Sequence, residues 1–165
     1  MKRIGIYAGS FDPPTNGHLW MMSRGAELFD ELLVVLAVNP DKQGFLPMET
    51  RRALLESMVA PLPNVRVVVM ERGFLVDFAR EQGAQYLLRG MRNTVDFEYE
   101  KSMAQMNARM EPQVQSVFLL PPPELEALSS SYIRGFVGQP AWERWVQPHV
   151  PAAVFEAVCR RKENL

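Results

Sequence analysis

Apolar residues occur along the chain in short uninterrupted runs, separated by longer segments in which apolar and polar residues are mixed. The runs are RIGIYAG, LLVVLAV, NVRVVVM, QYLLRG and QSVFLL. Runs of this length without polar alternation are typical of strands buried on both faces. Between them, helical spacing of apolar residues predicts helices at about His18–Phe29, Met48–Val59, Leu75–Gln82 and Asp96–Arg109.

Strands that alternate with helices of this length indicate βαβ units and a parallel sheet with right-handed crossovers. We therefore predict an α/β protein with a doubly wound parallel sheet of about five strands. After Pro121 the chain is first rich in proline and then helical, from about Ser129 to Val137 and from Ala152 to Arg161. We predict a single domain over residues 1–165 with a C-terminal helical segment at about 129–165.

Composition excludes several classes of protein. A net charge of -1 argues against nucleic acid as the main partner. No apolar stretch approaches the ~20 residues that span a bilayer, so we expect no membrane segment. The N-terminus enters a strand at once, without the apolar region of a signal peptide. Cys159 is the single cysteine, which forbids an intramolecular disulfide and fits a reducing compartment. These observations predict a cytoplasmic protein.

The loops that follow the strands are the predicted ligand site, because ligands of open parallel sheets bind beyond the carboxyl ends of the strands. In the first loop, Gly9 and Ser10 allow a tight turn, and Thr15 or Asn16 is placed to cap the next helix. His18 falls in the first turn of that helix, where unpaired N–H groups and the helix dipole favour phosphate. The alternative is that His18 is only a buried capping residue.

Two short motifs narrow the function. Thr15-Asn16-Gly17-His18 resembles the (T/H)xGH signature of the nucleotidyltransferase superfamily, and Leu128-Ser129-Ser130-Ser131-Tyr132-Ile133-Arg134 resembles its (I/L)SS(S/T)xx(R/K) signature. The resemblance implies a Rossmann-like fold of the nucleotidyltransferase type. Each motif alone would be an ordinary helix start. Together, at opposite ends of one predicted domain, they indicate nucleotide chemistry.

A third stretch, RGMR at 89–92 followed by DFEYE at 96–100, is similar to the phosphopantetheine adenylyltransferase family. This resemblance covers nearly the whole chain and implies transfer of AMP from ATP to 4′-phosphopantetheine, a step of coenzyme A synthesis. The sequence departs from the family at Ser10, where threonine is frequent, and at Leu125-Glu126-Ala127, which lacks an aromatic residue that some members have. The resemblance implies that the loop at 121–128 lies near the adenine of ATP.

The resemblance implies roles for individual residues. It predicts catalytic roles for His18, Lys42, Ser10 and Arg92, and binding of phosphopantetheine by Ser10, Lys42, Leu75 and Arg89. The predicted ATP-binding residues are Ser10, Phe11, His18, Gly90, Met91, Arg92, Glu100, Leu125, Glu126, Ala127, Leu128, Ser129, Ser130 and Ser131. The attacking phosphate is largely dianionic near neutrality, since its second pKa is ~6, and needs no general base.

The same resemblance implies the partners. We expect Mg²⁺ to arrive on the phosphates of ATP, with no protein metal ligands. Dephospho-coenzyme A is the expected product, coenzyme A a feedback ligand, and a homohexamer the expected assembly.

Other interpretations stay open at this point. Lys42 would otherwise be a solvated loop lysine, Leu75 a core residue, and Arg89 and Arg92 partners of the acidic run 96–100 in surface ion pairs. Within the superfamily, the chain could act on another phosphate, such as nicotinate mononucleotide. From a different class, it could be a catalytically silent nucleotide- or coenzyme A-binding regulator on the same fold.

Overall fold

Every apolar run of the sequence forms a strand. A computed structural model describes residues 2–38 and 43–163. Its strands are β1 (Ile4–Gly9), β2 (Glu31–Ala37), β3 (Val65–Met70), β4 (Tyr86–Gly90) and β5 (Gln115–Leu119). They form one sheet in the order β3-β2-β1-β4-β5, and all neighbouring strands are parallel. The predicted five-stranded doubly wound sheet is confirmed.

The helices lie where the spacing predicted them, with small differences at their ends. They are α1 (Asn16–Leu28), α2 (Met48–Val59), α3 (Leu75–Glu81), α4 (Thr94–Met110), α5 (Pro123–Glu126), α6 (Ser130–Phe136), α7 (Glu143–Val146) and α8 (Ala152–Glu163), with a 3₁₀ turn at Gln147–His149. The sequence did not predict α5, α7 or the 3₁₀ turn, because single turns are too short to show periodicity. None of the helices within the described ranges is long and apolar enough to cross a bilayer.

The interior strand β2 shows why the apolar runs are unbroken. Leu32, Val34 and Leu36 pack on one side of the sheet with residues of α1 and α2. Leu33 and Val35 pack on the other side with residues of α3. Since successive side chains of a strand point to opposite faces, a strand covered by helices on both faces must be apolar at every position.

A third apolar cluster forms where the C-terminal helices meet α2. Ile133 of α6, Val146 of α7 and Val154 and Val158 of α8 are fully buried there, and Leu54 of α2, which is almost fully buried, belongs to the same cluster. This cluster anchors α6, and with it the serine run, beside the first loop.

Helix α4 differs from the other long helices because its apolar residues face outward. Phe97, Met103 and Met106, which the spacing made available for packing, are all exposed. Val95 and Tyr99 are exposed as well, whereas Glu100 is the one buried residue of the helix. Within this single chain, α4 leaves an apolar face uncovered.

The strand order determines where a ligand fits. The chain proceeds from β1 through β2 to β3 on one side of β1 and then returns to place β4 on the other side. The crevice between the carboxyl ends of β1 and β4 is the topological switch point at which ligands of such sheets bind. Gly9 and Gly90 end these two strands at that crevice.

Candidate functional site

A cavity of about 350 Å³ lies at this switch point. Its walls come from β1 and the loop after it, the first turn of α1, the end of β4, and the loop that leads to α6. The predicted residues that line it are Ser10, Phe11, His18, Arg89, Gly90, Arg92, Glu100, Leu125, Leu128, Ser129, Ser130 and Ser131. The fold therefore brings together both superfamily motifs, which are more than a hundred residues apart in sequence.

His18 caps its own helix and still presents one ring nitrogen. Thr15 is the N-cap of α1, and its backbone N–H donates to Nδ1 of His18 at 2.9 Å. Because Nδ1 accepts this bond, the proton of the neutral ring lies on Nε2. Within residues 2–38 and 43–163, Nε2 has no hydrogen-bond partner, so it is a donor available to a ligand. The capping role and a role in the site are thus compatible.

The environment of His18 keeps its ring neutral. Burial, with the nearby charge of Arg92 as a smaller cause, lowers the pKa of His18 to about 4. Phe11 supports the ring from one side, with ring centroids 5.1 Å apart in an edge-to-face arrangement. At neutral pH the side chain is therefore a fixed neutral N–H donor and not an imidazolium.

The two arginines of the RGMR stretch are both paired with the acidic run. Arg89 donates from Nε and Nη2 to the two carboxylate oxygens of Glu100, at 2.8 and 2.5 Å. The hydrogen bond to Glu100 raises the pKa of Arg89. Arg92 donates from Nε to Asp96 at 2.8 Å. Burial alone would raise the pKa of Asp96, but the hydrogen bonds and charge of Arg92 outweigh it and lower that pKa.

These pairs agree with the alternative that Arg89 and Arg92 form ion pairs with the acidic run 96–100. They do not prevent the same arginines from binding phosphate. A guanidinium has five N–H donors, and two nitrogens bound to a carboxylate leave others free. Arg89 uses Nε and Nη2 on Glu100, which leaves Nη1 without a partner in the described part of the chain. The carboxylates thus orient the arginines toward a cavity that both arginines line.

The serine run is held by its own hydrogen bonds. Ser129 is the N-cap of α6 and accepts from the N–H of Tyr132 at 3.0 Å. Ser130 donates from its hydroxyl to the carbonyl of Pro13 at 2.8 Å, which ties α6 to the first loop. Ser131 accepts from Nη2 of Arg134 at 3.0 Å.

Comparison with known proteins identifies the family. A model for cytidylyltransferase-like proteins matches residues 6–136. A phosphopantetheine adenylyltransferase of Neisseria meningitidis serogroup C is 43% identical over 162 residues, which are 98% of this chain and 95% of that protein. One from Chromobacterium violaceum is 44% identical over 155 residues, 94% of each chain. The chain belongs to the phosphopantetheine adenylyltransferase family.

A solved structure supports the fold independently. The chain is similar to Plasmodium falciparum nicotinic acid mononucleotide adenylyltransferase complexed with NaAD, with a TM-score of 0.70 and 16% identity. The match covers 97% of this chain and 96% of the other. At this identity the similarity shows the nucleotidyltransferase fold.

A second cavity, of about 280 Å³, adjoins the first and contains the predicted phosphopantetheine residue Leu75. Phe74, Leu75 and Met103 supply apolar walls, and Asn107 and Ser116 supply polar groups. Arg89 and Glu100 line both cavities. The Arg89–Glu100 pair therefore lies at the junction of a polar cavity and a more apolar one.

Some predicted residues lie elsewhere. Met91, Glu126 and Ala127 are described by the structure but do not line either cavity. Lys42 lies outside the described residues, so its predicted role stays a prediction. Within residues 2–38 and 43–163 no group of three or more His, Cys, Asp and Glu side chains is placed to hold a metal ion.

The sequence did not single out Tyr7 or Arg134 as ligand contacts, yet both line the larger cavity. The Tyr7 ring is buried, and burial raises the pKa of its hydroxyl. Arg134 donates to the carbonyl of Asp12 as well as to Ser131. Arg134 is the last residue of the second motif, and this position in the motif could have identified it as a ligand contact. No feature of the sequence marked Tyr7 as a ligand contact, since an aromatic residue within an apolar strand predicts only a core position.

Proposed function

We propose that the chain transfers the adenylyl group of ATP to 4′-phosphopantetheine, which forms dephospho-coenzyme A and releases pyrophosphate. The observation that carries this proposal is the meeting of two cavities at Arg89. The larger cavity combines cations, hydroxyls and a histidine donor, which suits a polyphosphate. The adjoining cavity has a more apolar lining, which suits the pantetheine arm. Relatives at 43–44% identity carry the name of this activity.

In the proposed reaction, an oxygen of the 4′-phosphate attacks the α-phosphorus of ATP. The bond from that phosphorus to the oxygen bridging to the β-phosphorus breaks, and pyrophosphate takes the electron pair. No proton has to be removed from the nucleophile, which is largely dianionic at neutral pH because its second pKa is ~6. The protein therefore has to position two polyanions and stabilise charge that develops on the α-phosphoryl group.

The described side chains fit these tasks. Nε2–H of His18 donates to an α-phosphoryl oxygen and keeps its proton throughout the reaction. Arg89, oriented by Glu100, binds the phosphate of phosphopantetheine, and Arg92, oriented by Asp96, binds the β- and γ-phosphates. Ser10 holds the attacking phosphate in line, and Leu75 contacts the pantetheine arm. Lys42 lies outside the described residues, and only the family resemblance assigns it a role as a further positive charge for the phosphates.

The partners belong to the same proposal. Mg²⁺ comes with ATP and is held by phosphate oxygens and water, as is usual for this ion. Dephospho-coenzyme A leaves as product, and coenzyme A, which shares its pantetheine arm, competes as a feedback ligand. The exposed apolar face of α4 supports association, and family resemblance makes a homohexamer in the cytoplasm the proposed assembly.

Pyrophosphate release from ATP is the direct test. We expect release with 4′-phosphopantetheine and much less with dephosphorylated pantetheine, nicotinate mononucleotide or glycerol 3-phosphate. Equal turnover of pantetheine would contradict the assigned role of the phosphate. Faster turnover of nicotinate mononucleotide would move the chain to another branch of the superfamily.

Product binding gives a second test that does not depend on turnover. Dephospho-coenzyme A occupies both cavities and should stabilise the folded state by about 2.7 kcal/mol at a concentration of 100 times its Kd. We expect a corresponding rise in Tm by calorimetry, and a rise with coenzyme A too. If ATP raises the Tm and neither coenzyme does, the phosphopantetheine half of the proposal is wrong.

A further inference from the structure

Arg51 of α2 is a buried cation that none of the motifs includes. Its residue surface is 6% exposed, and Nη1 donates to the backbone carbonyl of Ser10 at 2.8 Å. Its Nε is buried and has no hydrogen-bond partner in the described part of the chain. Burial of a guanidinium is costly unless its donors are bound, and the bond to the Ser10 carbonyl is the directed hydrogen bond that Arg51 makes within the described residues.

The nearest carboxylate is mostly engaged elsewhere. Asp12 lies 4.0 Å from Nε of Arg51, at the outer limit of an ion pair. Its two oxygens accept the backbone N–H groups of Phe45 and Leu46, each at 2.7 Å. Gly44 packs close by, since a Cβ there would lie 3.1 Å from Asp12 and 3.2 Å from Nη2 of Arg51. The arginine is thus enclosed, and its strongest directed contact is the Ser10 carbonyl.

Peptide geometry transmits this contact to the site. The peptide bond between Ser10 and Phe11 is trans, so the Ser10 carbonyl and the Phe11 N–H point in opposite directions. With the carbonyl directed at Arg51, the N–H is directed away from α2. It has no acceptor in residues 2–38 and 43–163, and Phe11 lines the larger cavity. Phe11 also has a φ of 46°, a left-handed conformation that non-glycine residues rarely adopt and that is found at functional sites.

The far side of the same loop is fastened separately. Arg134 donates to the carbonyl of Asp12, and Ser130 donates to the carbonyl of Pro13. These two contacts act on the carbonyls of Asp12 and Pro13. Among the described residues, Arg51 is the side chain that binds the Ser10–Phe11 peptide itself.

We propose that Arg51 is a positioning residue for the nucleotide: its bond to the Ser10 carbonyl fixes the Ser10–Phe11 peptide so that the Phe11 N–H donates to a phosphate of ATP. The inference rests on the proposed function, because it takes the larger cavity as the nucleotide site. Arg51 itself contacts no substrate. Its guanidinium reaches the carbonyl from α2 and also adds positive charge beneath the phosphates.

The test compares Arg51→Met, Arg51→Lys and Arg52→Met. Methionine keeps much of the volume of Arg51 without a donor, and lysine keeps one donor and the charge. Arg52 is the matched control, because it lies next to Arg51 on α2 but is exposed and pairs with Glu56. For each variant, Tm, kcat and the two KM values are measured, together with the ¹⁵N–¹H resonance of Phe11 during titration with Mg²⁺-ATP.

For Arg51→Met we expect the KM for ATP to rise more than the KM for 4′-phosphopantetheine. We also expect kcat to fall by up to about 10²-fold, because misplacing a contact group by about 1 Å has effects of this size. Arg51→Lys should recover part of this loss, and Arg52→Met should behave like the unchanged protein. A folded Arg51→Met with normal kcat and normal KM for ATP would assign Arg51 to stability alone and overturn the inference.

The resonance of Phe11 keeps the test valid if Arg51→Met does not fold. In the unchanged protein the Phe11 amide should move downfield as ATP binds, and the shift should be smaller in Arg51→Lys. An amide that does not respond to ATP overturns the inference, whatever the variants do. If the amide responds but pyrophosphate release requires a substrate other than 4′-phosphopantetheine, the proposed function fails while the role of Arg51 stands.

Discussion

The two sides of the larger cavity are built in different ways. On the β1–α1 side, His18 is neutral, hydrogen-bonded through Nδ1 to the backbone of Thr15 and packed against Phe11. On the β4–α4 side, Arg89 and Arg92 are charged and each is already paired with a carboxylate. The first side thus offers fixed neutral donors, and the second offers cations whose charge is partly balanced before any ligand binds.

This difference predicts different consequences of mutation. A fixed neutral donor aimed at the reacting group acts mainly on the transition state, because it costs no reorganisation at the moment of reaction. A paired cation also holds its partner, so its removal leaves a carboxylate uncompensated. Replacement of His18 should therefore appear mainly in kcat, and replacement of the paired arginines in KM and in stability.

The largest expected effect is that of His18→Ala. We expect kcat to fall by about 10²–10³-fold with ATP binding nearly intact, because one preorganised donor is lost. Steady-state kinetics with both substrates saturating, and calorimetric titration with ATP, measure the two quantities. Thr15→Ala is the control, since it removes the hydroxyl of the N-cap but keeps the ring, and caps contribute about 1 kcal/mol. An equal loss of kcat in both variants would mean that His18 acts through the cap.

Next in size is Arg89→Ala. A charge-assisted hydrogen bond to one substrate contributes about 1.5–3 kcal/mol, so the KM for 4′-phosphopantetheine should rise by about 10- to 150-fold and that for ATP much less. The variant should also lose stability, because Glu100 is left buried without its partner. The double variant Arg89→Ala/Glu100→Gln should regain stability without regaining the KM. If the two KM values rise equally, Arg89 does not belong to the phosphopantetheine side.

The titration of His18 gives a pH prediction with a defined sign. Its pKa is about 4 in the folded protein against 6.5 as the ordinary value, so the unfolded chain takes up the proton first as pH falls. The contribution of neutral His18 to stability is full above pH 6.5 and is lost progressively toward pH 4. The Tm of the unchanged protein should therefore fall faster than that of His18→Ala over this window. Parallel curves would show that His18 titrates normally.

The smallest expected effect is that of Asp96→Asn. The Arg92–Asp96 pair has side chains 34% and 22% exposed and joins positions i and i+4 of the chain. Such pairs contribute about 0.3–0.5 kcal/mol, so Tm should change little. Because Asp96 orients Arg92, its replacement should weaken ATP binding slightly, although it leaves more of the Arg92 charge unbalanced. Tighter ATP binding, most clearly at low salt, would show that Asp96 only balances the charge of Arg92 and does not orient it.

Local patterns of sequence were sufficient for the elements of the sheet and for much of the candidate site. An apolar run such as the one in β2 predicts a strand covered on both faces from its own composition. The helix starts at His18 and at the serine run were predicted from small and capping residues, and their assignment to a nucleotide site came from the resemblance of the two motifs to nucleotidyltransferase signatures. The order in which the strands occur in the sheet could not be predicted this way. The carboxyl-end rule nevertheless selected the loops after β1, β3, β4 and β5, whose residues line the two cavities.

Other features depend on contacts between distant residues. Arg51 lies 41 residues from Ser10 in the chain, and no local pattern marks its bond to the Ser10 carbonyl. The spacing of Phe97, Met103 and Met106 predicted a helix correctly, but it did not predict that this apolar face would be exposed. Periodicity identifies the apolar face of a helix and not the element that packs against it. Arg89 and Arg92 could be assigned to phosphates or to carboxylates, and only the approach of α4 to the end of β4 decided that both are paired.

By itself, then, the sequence determined which segments become strands and helices and which side chains end at the carboxyl edge of the sheet. Those properties follow from the order of apolar and polar residues within a short stretch of helix or strand. The tertiary structure decided the tautomer of the His18 ring, the partners of the two arginines and the direction of the Phe11 N–H. Each of these depends on which donor meets which acceptor once distant segments pack, because a buried polar group is stable only when its partner is in place.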